Sequence, residues 1–175
     1  NLILLFSFLV SSAYAQKKLI KPVVQETPQI DLESYFKPVL WRNLGHTRGG
    51  RSVTATGIKG NTQTYYMGTT GGGVWKTTDA GNSWQCISDG YFGGSIGAIA
   101  VSESDPNIIY VGTGSDGLRS NIISGKGVYK SIDAGETWSH IGLENVGQIG
   151  AVEIDPTNSN IVWVAAIGNA FKPNE

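Results

Sequence analysis

The feature that most constrains this chain is a repeat of just over fifty residues. Gly73-Val74-Trp75-Lys76-Thr77-Thr78-Asp79-Ala80-Gly81-Asn82-Ser83-Trp84 recurs as Gly127-Val128-Tyr129-Lys130-Ser131-Ile132-Asp133-Ala134-Gly135-Glu136-Thr137-Trp138, 54 positions on. Ile96-Gly97-Ala98-Ile99-Ala100-Val101 returns as Ile149-Gly150-Ala151-Val152-Glu153-Ile154, and Asn107-Ile108-Ile109-Tyr110-Val111 as Asn160-Ile161-Val162-Trp163-Val164, both at 53. A looser copy lies upstream, where Tyr66-Met67-Gly68-Thr69 parallels Tyr110-Val111-Gly112-Thr113. Each unit holds four short runs rich in Val, Ile, Thr, Tyr and Trp, broken by Gly, Asn, Asp and Pro, the pattern of a four-stranded antiparallel meander. In the best-defined unit the runs are 97–102 (A), 107–112 (B), 126–131 (C) and 137–142 (D). One such sheet cannot bury both faces, and units repeating at forty to fifty residues commonly solve this by packing radially. The expected fold is therefore all-β: a β-propeller of four-stranded antiparallel blades.

The blades are expected at 43–88 and 95–142, with a third starting at 149–175, inside a repeat region 41–175. Trp41-Arg42-Asn43-Leu44-Gly45 matches Trp138-Ser139-His140-Ile141-Gly142 and reads as a D strand that would pair with a final blade and close the ring. A ring needs about four to eight blades. The chain is thus expected to be a fragment that depends on the remainder of its own chain for closure.

Residues 1–15 read as a signal peptide: the apolar run Leu2-Ile3-Leu4-Leu5-Phe6-Ser7-Phe8-Leu9-Val10 is too short for a bilayer span, and Ala13-Tyr14-Ala15 supplies the small-x-small cleavage pattern before Gln16. No transmembrane segment is expected. The chain opens with Asn1 and lacks the basic stretch that ordinarily precedes such a run, so its start reads as truncated. Residues 16–40, with Pro22, Pro28 and Pro38, read as a linker. The expectation is export, to the periplasm, cell surface or exterior.

Composition removes several classes of function. With 13 Lys and Arg against 14 Asp and Glu, there is no long-range field to draw in a polyanion, and nucleic acid is not an expected partner. One cysteine and two histidines cannot form a disulfide scaffold or a Cys and His metal cage, and no metal or cofactor is expected.

Ser131-x-Asp133-x-Gly135-x-Thr137-Trp138 fits the Asp-box, or BNR repeat, in full; Thr77-x-Asp79-x-Gly81-x-Ser83-Trp84 fits it with conservative swaps. Its expected role is structural. On the turn from strand C to strand D the carboxylate can accept backbone N–H bonds, the glycine tolerates positive φ, and the tryptophan packs as an apolar anchor. Residues that recur once per blade serve the blade, whereas one active site needs residues that break the pattern.

With Arg48-Gly49-Gly50-Arg51, Gly71-Gly72-Gly73-Val74-Trp75-Lys76, and Ile149-Gly150-Ala151 followed by Asp155-Pro156-Thr157-Asn158, residues 41–175 resemble the start of large secreted bacterial BNR-repeat proteins. These are similar to the sortilin propeller domain and are often labelled glycosyl hydrolases. The resemblance implies a fold more specifically than an activity, because the repeat occurs in sialidases, xyloglucanases and receptors that catalyse nothing. Xyloglucanase-type propellers place a catalytic Asp just before a Gly-Gly-aromatic stretch on the first blade; Thr70 occupies that place here. Gly50-Arg51-Ser52-Val53 lacks the proline and aromatic context of the sialidase strand motif.

In such blades the A–B and C–D turns share one rim, and the B–C and D–A turns share the other. Ligands are expected on the second rim. Its residues 114–126 form a B–C loop ten residues longer than the first blade's. Long loops on a rigid scaffold often carry binding groups, so Arg48, Arg51, Asp116, Arg119 and Asn121 are the ligand-binding candidates; arginines suit carboxylate recognition. Tyr91 and Phe92 could stack on a sugar or cap the gap between blades. No catalytic residue is identified. The leading expectation is a binding module for a glycan or peptide ligand; the alternative is a glycoside hydrolase whose catalytic residues lie mostly elsewhere.

Overall fold

A computed structural model of the chain describes Asp31, Phe36, Lys37, residues 51–117 and residues 120–173. The expected signal segment, most of the linker and the expected D strand at Trp41–Gly45 lie outside the described residues, as do Arg48 and Arg119. The chain divides into two units, Asn1–Leu44 and Gly45–Glu175, and every strand among the described residues belongs to the second.

The described elements are all strands, and they follow the repeat. β1 (Ser52–Ile58), β2 (Asn61–Thr69), β3 (Gly73–Thr77) and β4 (Gln85–Cys86) form one sheet in chain order. β5 (Ile96–Val101), β6 (Ile109–Thr113), β7 (Val128–Ser131) and β8 (Ser139–Gly142) form a second, and β9 (Gln148–Ile154) pairs with β10 (Val162–Gly168) in a third. Every pairing is antiparallel. Three expected strand starts, at 107, 126 and 137, move inward by two residues; β7 begins at Val128 because the Lys126 amide turns to the Thr113 hydroxyl. β6 begins at Ile109 because Asn107 belongs to the preceding turn, its amide donating to Asp105 Oδ1 at 3.0 Å. β8 begins at Ser139 because Thr137 is held in the turn by Asp133.

The sheets pack through their first strands, β1 beside β5 and β5 beside β9. Small residues on one sheet receive large ones from the next. A Cβ on Gly68 of β2 would stand 2.6 Å from Ile96 Cγ2, and one on Gly112 of β6 would stand 2.4 Å from Ile149 Cγ2. Gly68 and Gly112 hold the same place in the repeat, as do Ile96 and Ile149, so one knob-and-hole joint is built twice from matching sequence. Both isoleucines are fully buried, and each such side chain contributes about 1.5–3 kcal/mol relative to exposure. Around the first joint lie Tyr66, Val74, Phe92, Ile99, Ile109, Val111 and Trp138; around the second, Ala98, Tyr110, Val128 and Val152.

Candidate functional site

Antiparallel pairing puts the turns at two opposite ends of the strands. At one end lie the two Asp-Gly turns, and the hydrogen bonds around their carboxylates repeat from one to the other. Thr77 Oγ1 donates to Asp79 Oδ1 at 2.7 Å and accepts the Gly81 amide at 2.9 Å; Ser131 Oγ donates to Asp133 Oδ1 at 2.7 Å and accepts the Gly135 amide at 2.8 Å. The amides of Ser83 and Thr137 donate to the same carboxylates at 2.8 and 2.9 Å, and their hydroxyls donate as well. Gly81 and Gly135 both take φ of 92°, in the left-handed region that glycine enters without a Cβ penalty.

This geometry fixes the charge of both aspartates. Hydrogen bonds from the Ser83 hydroxyl and amide, and then from Thr77, lower the Asp79 pKa from the ordinary 3.8 to about 2. The Thr137 hydroxyl and amide, and then Ser131, bring Asp133 to about 2. Such groups stay ionised at neutral pH and cannot donate a proton to a leaving group. Because the folded pKa lies below the unfolded one, the stability they contribute is present above about pH 4 and lost as pH falls towards about 2. Thermal unfolding followed across that window should show the melting temperature of Asp79→Asn/Asp133→Asn falling less than that of the parent chain. Equal slopes would refute the linkage.

The second turn also docks onto the first sheet. Lys76 Nζ and the Tyr66 hydroxyl donate to the Ala134 carbonyl at 2.9 and 3.4 Å, and Trp138 Nε1 donates to the Ile87 carbonyl at 2.9 Å. Burial raises the Tyr66 pKa to about 12, so the phenol remains a donor. Trp138 is 7% exposed, whereas Trp84, its counterpart in the first unit, is 36% exposed.

The opposite end carries residues 114–126, and this loop is tied at both shoulders. The Gly114 amide donates to the Ser95 carbonyl at 2.7 Å, and the Gly125 amide donates to the Gly147 carbonyl at 2.7 Å. Ser115 Oγ donates to Ser95 Oγ at 3.1 Å and accepts the Ile123 amide at 3.1 Å. Buried Gln148 donates through Nε2 to the Ser115 carbonyl at 2.7 Å. Gly114 has φ of 100°, and a Cβ there would meet the Gly147 carbonyl oxygen, so the approach requires glycine. Ser95, Ser115 and Gln148 escaped the sequence reading. The one signal for Gln148 is a polar residue opening an otherwise apolar strand pattern.

Of the five ligand-binding candidates, Arg51, Asp116 and Asn121 are described, and all three are exposed. Asp116 lines an open groove of about 430 Å³ along β1, β5 and β9, together with Thr54, Thr56, Glu103 and Glu153. Arg51 and Asn121 do not line it. The backbone carbonyl of Arg51 accepts the Thr70 amide at 2.9 Å, bringing Thr70 to the same rim. The two aromatics of the neighbouring connection part ways. Phe92 is buried, stacked on Tyr129 with centroids 4.2 Å apart and edge-on to Trp138 at 5.3 Å, so it fills the gap between sheets. Tyr91 is 47% exposed.

No family model matches the chain, and no curated protein matches it in sequence. Solved structures do. An ancestral GH74 enzyme matches 65% of this chain at 22% identity with a TM-score of 0.52, and the match covers 16% of that enzyme. The GH74 xyloglucanase of Xanthomonas campestris matches 70% of this chain at 23% identity with a TM-score of 0.50, covering 20% of that chain. This chain therefore spans a fifth or less of the length of either. At these identities the likeness shows a shared fold of antiparallel four-stranded sheets.

Proposed function

We propose that the three sheets are blades of an exported β-propeller that binds a glycan or peptide ligand on the rim opposite the Asp-Gly turns. Export rests on the apolar run 2–10 and the Ala13-Tyr14-Ala15 pattern. The observation that carries the binding reading is the loop 114–126. It is the segment that departs from the repeat by ten residues, yet it is braced on Ser95 and Gly147 like a built part of the scaffold. A long polar loop held at both shoulders can present groups to a ligand with little ordering cost on binding. The Asp-Gly turns are occupied by their own hydrogen bonds and serve the blades.

The test is retention of the whole chain on a panel of immobilised acidic and neutral glycans and peptides, repeated with Arg51→Ala/Arg119→Ala. Binding that weakens in the double variant at an unchanged melting temperature is the expected result. Retention by nothing on the panel, or equal affinity in the variant, overturns the proposal.

A second reading, glycoside hydrolysis, draws on two observations. The two solved structures named above are GH74 enzymes, and three carboxylates, Asp116, Glu153 and the Lys59-paired Glu103, line one groove. Hydrolysis commonly uses two carboxyl groups flanking the scissile bond. Turnover of xyloglucan or an aryl glycoside that disappears in Asp116→Asn would establish this reading. Activity unchanged in that variant would remove Asp116 from it.

A further inference from the structure

Resting on the glycan-binding reading above, we infer that a single carboxylated pyranose of the hexuronate type seats between the β4–β5 connection and the second sheet on the loop rim, with Lys126 as its counter-ion. A cavity of about 270 Å³ opens there, lined by Tyr91, Phe92, Thr113, Ser124, Lys126 and Tyr129. Ligand clefts for larger molecules run from about 300 to 1,000 Å³, so this one suits one sugar ring.

Its walls are rigid. The stacked pair Phe92 and Tyr129 is braced by Trp138, and Tyr129 also packs against the His140 ring at 5.0 Å. Lys126 rises from a fixed base: its amide donates to Thr113 Oγ1 at 2.7 Å, and His140 Nε2–H donates to its carbonyl at 2.8 Å. Thr113 is spent, since its hydroxyl also donates to the Gly127 carbonyl at 2.7 Å. By contrast, among the described residues the Lys126 ammonium, the Tyr91 hydroxyl and the Ser124 hydroxyl have no protein partner. One cation and two hydroxyls therefore surround an aromatic wall. The wall offers an apolar surface to the C–H face of a pyranose, the hydroxyls can bond its own, and the ammonium gives a charge-assisted bond to a carboxylate. A neutral sugar would leave the ammonium without an anion, which is where the discrimination arises.

Calorimetric titration of the whole chain with oligogalacturonate and with its methyl ester isolates the charge on one sugar framework. The acid should bind at least about tenfold more tightly than the ester. Lys126→Gln should erase that difference, and Tyr91→Ala should weaken both ligands. Equal binding of acid and ester, or a preference that survives Lys126→Gln, overturns the inference. If other, neutral glycans bind while the acid is not preferred, this inference falls alone. If no glycan of either kind binds, the glycan reading falls with it.

Discussion

Gly97→Ala is expected to cost about 3 kcal/mol or more of stability and to separate the second sheet from the third. A Cβ at this position would stand 1.9 Å from the Ile149 carbonyl oxygen and 2.9 Å from the Gly114 carbonyl oxygen. Both obstacles are backbone, one in β9 and one at the shoulder of the long loop, so no rotamer change relieves the clash. Gly97 needs no unusual φ, and the cost is one of space alone. Gly93→Ala is the control, because a Cβ there meets nothing within 4 Å. Denaturant unfolding of the two variants should give a midpoint well below the parent's for Gly97→Ala and an almost unchanged one for Gly93→Ala. Matching midpoints would mean that β5 and β9 do not approach as closely as described.

Trp138→Ala should destabilise by about 3–5 kcal/mol, and Trp84→Ala by much less, although the two residues occupy the same place in the repeat. Trp138 loses a buried ring, its edge contact with Phe92 and its bond to the Ile87 carbonyl, which is then left without that donor. Trp84 is over a third exposed and loses less. Urea denaturation of both variants measures the difference directly. Equal losses would show that the tryptophan acts within its own turn rather than across the joint between sheets.

That asymmetry marks how far the sequence could be read. Strand order, antiparallel pairing and the hydrogen-bonded Asp-Gly turns were legible because each depends on residues within one unit. The runs rich in Val, Ile, Thr, Tyr and Trp between Gly, Asn, Asp and Pro, and the Ser or Thr at fixed distances from Asp79 and Asp133, carry that information locally. What each tryptophan touches depends on the neighbouring sheet, and nothing within the motif encodes it. The site divides in the same way. The length of the loop 114–126 was visible as a departure from the repeat, and Asp116 could be nominated from it. Its tethering by Gln148 joins residues 33 positions apart, and the cavity that Lys126 shares with Tyr91 brings together two loops from either side of β5 and β6. Arg51, Asp116 and Asn121 are nominated by a shared rim, and which of them lines a given groove depends on strands from other units: of these three, Asp116 lines the groove along β1, β5 and β9.

The twice-built joint between glycine and isoleucine has a consequence for how such chains grow. The leading surface of each unit fits the trailing surface of the one before it, so the contact is head to tail and never exhausts itself within a pair. Copying a whole unit in tandem therefore adds a module that already matches both of its new neighbours, and selection can act on the connecting loops while the joint stays as it was. The number of modules in a finished assembly is then a matter of angle per step, and the chemistry of the joint leaves it open.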